Sequence, residues 1–227
     1  MPKRNTYRVP MTLLLLAFVL EVFGLDFKMM GLLFDSGSQS FPLRHHWLTE
    51  GVIHTVGRQM IGATVLVIIL TFIASLILPS PKSDRREWSF VLFSIVIATL
   101  TISILKATTG MQCAYELTIY GGSKPLNQFS NLWLGDGKCW PGGHVSGPLS
   151  LVAIFFGFRT KQPTLALLGL VGAVTMGMVF GIGQTLRGAH FPSHTIWTTL
   201  IIWMINLGLI KIFFPAPTTT LQAGVTQ

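Results

Sequence analysis

The chain has 227 residues, of which 50% are hydrophobic and 11% charged, and it carries a net charge of +8. Soluble domains are about one quarter charged, so this composition excludes an ordinary soluble protein and indicates an integral membrane one. The 16 Lys and Arg are scattered in short segments between apolar runs, with no basic stripe interleaved with aromatics, so the expected partner is the bilayer and its anionic lipid, not nucleic acid.

Residues 1–9 carry Lys3, Arg4 and Arg8, and an apolar run over 9–25 follows. The run resembles a signal peptide, but no small-residue cleavage pattern comes after it, so it reads as a retained first span. Residues 26–58 are too mixed to span. From Trp47 onward, Leu48, Val52 and Val56 fall on one helical face and His46, Glu50 and His54 on another. That pattern suits an amphipathic helix at the membrane surface, or a metal site if the three polar residues converge. Residues 59–78 form an uncharged second span, a loop broken by Pro79 and Pro81 follows, and 88–105 make a third, with Trp88 as interface anchor.

Lys106 closes the third span, and residues 107–143 are the longest polar segment, with Asn127, Asn131, Trp133 and Trp140. Its aromatics mark a structured loop. Cys113 and Cys139 both fall in it, as a disulfide if the loop lies outside the cytoplasm and as free thiols otherwise. A short apolar run over 144–158, a basic turn at Arg159–Gln162, and two longer runs over 163–186 and 191–214 complete the chain before a Pro, Thr and Gln tail. With no repeat and no second domain, residues 1–227 read as a single all-α bundle of six transmembrane helices.

An even number of spans puts both termini on one side, together with the turns at 79–87 and 159–162. That side holds Lys3, Arg4, Arg8, Lys82, Arg85, Arg86, Arg159, Lys161 and Lys211, nine of the 16 cations. The positive-inside rule makes it cytoplasmic, so the long loops face outward, to the periplasm in a bacterial inner membrane, and a Cys113–Cys139 disulfide is expected there.

Three polar motifs reach that outward face: Lys106; Pro141-Gly142-Gly143-His144; and Gln184-Thr185-Leu186-Arg187-Gly188-Ala189-His190-Phe191-Pro192-Ser193-His194. Ionisable groups at a membrane boundary read by default as functional. Pro192 suits the first position of a helix, which would leave unpaired N–H groups beside His190 and favour an anion such as phosphate. Gly142 and Gly143 allow backbone close to that anion, and Arg187 grips phosphate oxygens in a fork. His190 and His194, four residues apart, also have the spacing of two metal ligands.

These motifs resemble those of the type 2 phosphatidic acid phosphatase superfamily: Lys-x6-Arg-Pro, then Pro-Ser-Gly-His, then Ser-Arg-x5-His-x3-Asp. The resemblance implies that His190 is the nucleophile, His144 the general acid and Lys106 a phosphate clamp, with no metal or cofactor. Departures are as plain as matches. Cys113-Ala114 stands in place of Arg-Pro, Gly142 in place of serine, Gln184 in place of an arginine, and His194 in place of the aspartate that orients the nucleophile. Arg187 then substitutes for the lost arginine, and a neutral His194 accepts the N–H of His190. The Gly-Ala-His-Phe stretch resembles that of bacterial lipid A and related lipid phosphatases. The implied activity is hydrolysis of a lipid phosphomonoester or diphosphate through a phosphohistidine. A lipid phosphotransferase and a non-catalytic lipid-binding or transport protein are the alternatives.

Overall fold

The structure is a computed structural model, and it describes residues 4–77, 82–126, 133 and 135–215. Pro79 and Pro81, Asn127 and Asn131, Lys3 and the tail from 216 lie outside the described residues. The described chain is all-α: helices α1 (Arg4–Val22), α2 (Leu25–Leu33), α3 (Gly57–Ile77), α4 (Lys82–Thr108), α5 (Gly143–Ser150), α6 (Val152–Phe158), α7 (Pro163–Leu186) and α8 (Pro192–Phe213). A π-helical segment, Trp47–Val56, runs directly into α3.

Four helices among the described residues are long and apolar enough to cross a membrane, Trp47–Ile77, Arg85–Thr108, Pro163–Leu186 and Pro192–Phe213, and the count is five when the bent pair α1 and α2 is taken as one span. Gly143–Phe158 is apolar but shorter. In the four long helices only 17% to 33% of the apolar window is buried inside the protein. Leu66, Val67, Leu70, Leu167, Leu168 and Val171 are among the side chains left exposed, a surface that suits lipid chains and not water.

Two differences from the sequence reading matter for the site. First, the polar stretch after the first span contains α2, turned 70° from α1 at Gly24, whose φ of +62° needs a residue without Cβ. Met30 of α2 joins Phe41, Leu117, Tyr120 and Phe191 in a small aromatic core over the loops. Second, no separate surface helix precedes the second span, because one continuous helix runs from Trp47 to Ile77. Gly57 carries it past α7: a Cβ there would stand 2.6 Å from the Phe180 ring.

The larger core lies among α4, α5, α6, α7 and α8, with Phe90, Ile102, Val145, Phe156 and Ile202 at its centre. Small residues let α7 close on its neighbours, since Cβ atoms on Gly177 and Gly169 would collide with Leu149 and Ile154. Pro148 inside α5 has no N–H to give, and the chain breaks between α5 and α6 at Leu151.

Candidate active site

His190 sits in the connection from α7 to α8 and is 2% exposed. Gly188 makes the turn with φ +70°, and a Cβ there would stand 2.3 Å from the Phe41 ring. The amides of Ala189 and His190 both donate to the Gln184 carbonyl, at 2.9 and 3.3 Å, so the ring direction is set by the end of α7. Its Nδ1 lies 2.8 Å from the carbonyl oxygen of Cys139. A carbonyl only accepts, so Nδ1 carries the proton and Nε2 of the neutral ring keeps its lone pair. Burial, and after it the neighbouring His194, hold His190 well below its ordinary value of 6.5, which keeps that neutral form.

His194, in the first turn of α8, has its Nδ1 3.5 Å from Nδ1 of His190. The acceptor nearest the His190 proton is therefore the Cys139 carbonyl. His144, second residue of α5, has its ring centroid 6.4 Å from that of His190, and its Nε2 lies 3.3 Å from Nε2 of His54. Lys106, in the last turn of α4, reaches over the start of α5: a Cβ on Gly143 would meet Nζ at 3.2 Å. The Lys106 ammonium thus lies beside the first residue of α5, next to His144. Gly142 is packed against α8, with Thr198 Oγ1 3.3 Å from its carbonyl.

Two expected anion contacts are filled by the protein itself. The Ser193 amide at the start of α8 donates to the Asp26 carboxylate of α2 at 3.0 Å, so the helix terminus beside His190 already has its anion. Arg187 donates through Nε to the Arg44 carbonyl at 3.0 Å and through Nη2 to Glu50 Oε1 at 3.2 Å, while His45 Nδ1 lies 3.1 Å from the other Glu50 oxygen. Gln184 is 1% exposed, and its Nε2 has no partner among the described residues.

The three polar residues read as a possible metal set part company. His46 accepts from the Leu48 amide as helix cap, Glu50 pairs with Arg187, and His54 meets His144. Cys113 and Cys139 are joined as a disulfide. Sequence reasoning did not assign Asp26, Arg44, His54 or the Cys139 carbonyl to the site. An acid within an apolar stretch was the available signal for Asp26; a backbone carbonyl leaves none.

A model of the PAP2 superfamily matches residues 87–217, more than half of the chain and including Lys106, His144, Arg187 and His190. No curated protein and no solved structure matches the chain.

Proposed function

Because the chain belongs to the PAP2 superfamily, whose membership carries phosphatase-type activity, we propose that it is a membrane lipid phosphatase cleaving a phosphomonoester or diphosphate of a lipid through a phosphohistidine. The observation that carries this reading is the buried His190 ring, its Nδ1 committed to a carbonyl at 2.8 Å and its Nε2 left as a lone pair. Nε2 attacks phosphorus, the bond to the leaving oxygen breaks, and His144 delivers its proton to that oxygen. Water then attacks the phosphohistidine, giving a proton back to His144, and inorganic phosphate leaves. Lys106 and the amides at the start of α5 hold the equatorial oxygens. Arg187 and Gln184 complete that cradle, Arg187 once it leaves Glu50.

The helix order supports six crossings: the bent pair, Trp47–Ile77, Arg85–Thr108, Gly143–Phe158, Pro163–Leu186 and Pro192–Phe213. In that order Glu50, His54, Lys106, His144 and His190 all fall at one membrane face, opposite the termini, and the cation distribution turns that face outward. Lipid is the substrate class because the site lies at the ends of lipid-facing helices. Transfer of the phosphoryl group to a second lipid uses the same first half-reaction.

The test is phosphate release from lipid phosphates by the purified chain in detergent. Wild type should turn over and acquire acid-labile phosphate, His190→Ala should do neither, and His144→Ala should lose about 10²- to 10⁴-fold in kcat. A fully active His190→Ala would overturn the assignment.

A further inference from the structure

The aspartate expected four residues after the nucleophile is His194, and its Nδ1 is 3.5 Å from that of His190, at the far limit of a hydrogen bond. We propose that the Cys139 carbonyl is the group that orients His190, and that the Cys113–Cys139 disulfide holds this carbonyl and the nucleophile loop in register. The inference rests on the phosphatase reading for its kinetic consequence but not for its geometry.

Both arms of the disulfide are tied to the site. On the Cys139 arm, the Cys139 amide donates to the Met111 carbonyl at 2.9 Å and the Gly137 amide to Gly110 at 3.0 Å, while Thr109 Oγ1 donates to the Trp140 carbonyl. These contacts fasten residues 137–140 to the extension of α4, just beyond Lys106. Glycine is needed at 137, where a Cβ would stand 2.2 Å from the Met111 oxygen. The Cys139 carbonyl itself faces both imidazoles, lying 2.8 Å from His190 Nδ1 and also serving as a backbone hydrogen-bond partner of His194. On the Cys113 arm, the Glu116 carboxylate accepts the Cys113 amide at 2.8 Å, and the Tyr115 amide donates to the Gly188 carbonyl at 2.9 Å. Gly188 is two residues before the nucleophile. The bridge therefore links the strip that supplies the acceptor to the strip that holds the loop bearing the donor. Both cysteines are buried, at 6% and 5% exposure, as suits a permanent brace.

A carbonyl differs from the carboxylate it replaces in one respect that decides the chemistry. It selects the Nδ1–H tautomer and fixes the ring plane, but it brings no formal negative charge to the imidazolium that forms when Nε2 is phosphorylated. Without the bridge the 137–140 strip keeps its bonds to Thr109, Gly110 and Met111, but the carbonyl's alignment with the nucleophile loop loosens, and the second tautomer becomes populated.

Two measurements on the full chain in detergent test this separately from the activity reading. In chain labelled with ¹⁵N-histidine and assigned through His190→Asn, the His190 resonances should report the Nδ1–H tautomer in the oxidised protein and a tautomer mixture in Cys113→Ser/Cys139→Ser. An unchanged tautomer in the double variant overturns the proposal whether or not any lipid is turned over. In the kinetic arm, the double variant should lose at least tenfold in kcat with KM within about threefold, and adding His194→Asp, which offers a new acceptor, should restore part of the loss. A brace that only stabilises the fold would lower the melting temperature, and His194→Asp would restore nothing; that result also overturns it. Inactivity of the wild type on every lipid phosphate would instead reject the phosphatase reading and leave the tautomer result standing.

Discussion

His190 shows how much of this site is set by where one ring is buried. Its protonation is disfavoured by burial and by His194 beside it, so the folded protein binds a proton there less readily than the unfolded chain does. The sign follows: this group's contribution to stability is fully present above 6.5 and is lost as the pH falls through its lower folded value. Nucleophilicity follows the same curve, since only the neutral ring has a lone pair. The acid limb of kcat/KM is therefore expected below 6.5, with no loss between about pH 8 and 6.5 from this residue. A pH profile in detergent whose acid limb lies at 6.5 or above would contradict it. His190, His144 and Lys106 were legible in the sequence because each is a polar side chain at the edge of an apolar run. The acceptor on His190 was not, because it is a backbone atom whose position depends on a bridge between residues 26 apart in sequence.

At the scale of elements, the π-helical segment Trp47–Val56 and the turn at Gly188 do the positioning. The π segment presents Glu50 to Arg187 and His54 to His144, and such segments occur often at functional sites. Arg187 cannot grip phosphate with the same N–H that Glu50 holds, so Glu50→Gln should lower KM for a lipid phosphate by about two- to fivefold, the scale of a partly exposed ion pair. An unchanged KM in steady-state assays would show that Arg187 stays on the Arg44 carbonyl and takes no part in binding. At Gly188 the positive φ alone makes alanine unfavourable by about 1–2 kcal/mol, and its Cβ would also strike Phe41. Gly188→Ala should then lower the melting temperature and cut kcat by more than tenfold, because the Tyr115 and His190 contacts both pass through this turn. Long apolar helices announced themselves by length; the bend at Gly24 and the π register did not, since a single glycine and a change from i+4 to i+5 bonding leave no periodic trace in so short a stretch.

For the whole molecule, the direction in which the site faces is a matter of charge, and the cations bear on it unequally. With six crossings, nine of the 16 fall on the side of the termini. The other seven are Lys28, Arg44, Arg58, Lys106, Lys124, Lys138 and Arg187, and several of these have structural work: Arg44 lies over the Tyr115 ring at 3.7 Å, Lys124 pairs with Asp136, Arg187 with Glu50, and Lys106 covers the start of α5. Cations required by the fold on the site face dilute the bias without opposing it, because the orientation rule counts charges in the short loops flanking the spans. The disulfide points the same way, as thiols in a cytoplasmic loop are kept reduced. Single cysteines placed at exposed positions separate the two orientations. Ser36→Cys, in the loop after α2 on the site face, should react with a membrane-impermeant maleimide in intact cells. Gln162→Cys, in the turn before α7, should react only after the membrane is opened. The reverse pattern would turn the site to the cytoplasm, where the substrate would be an inner-leaflet lipid and the Cys113–Cys139 bridge would need another source of oxidation.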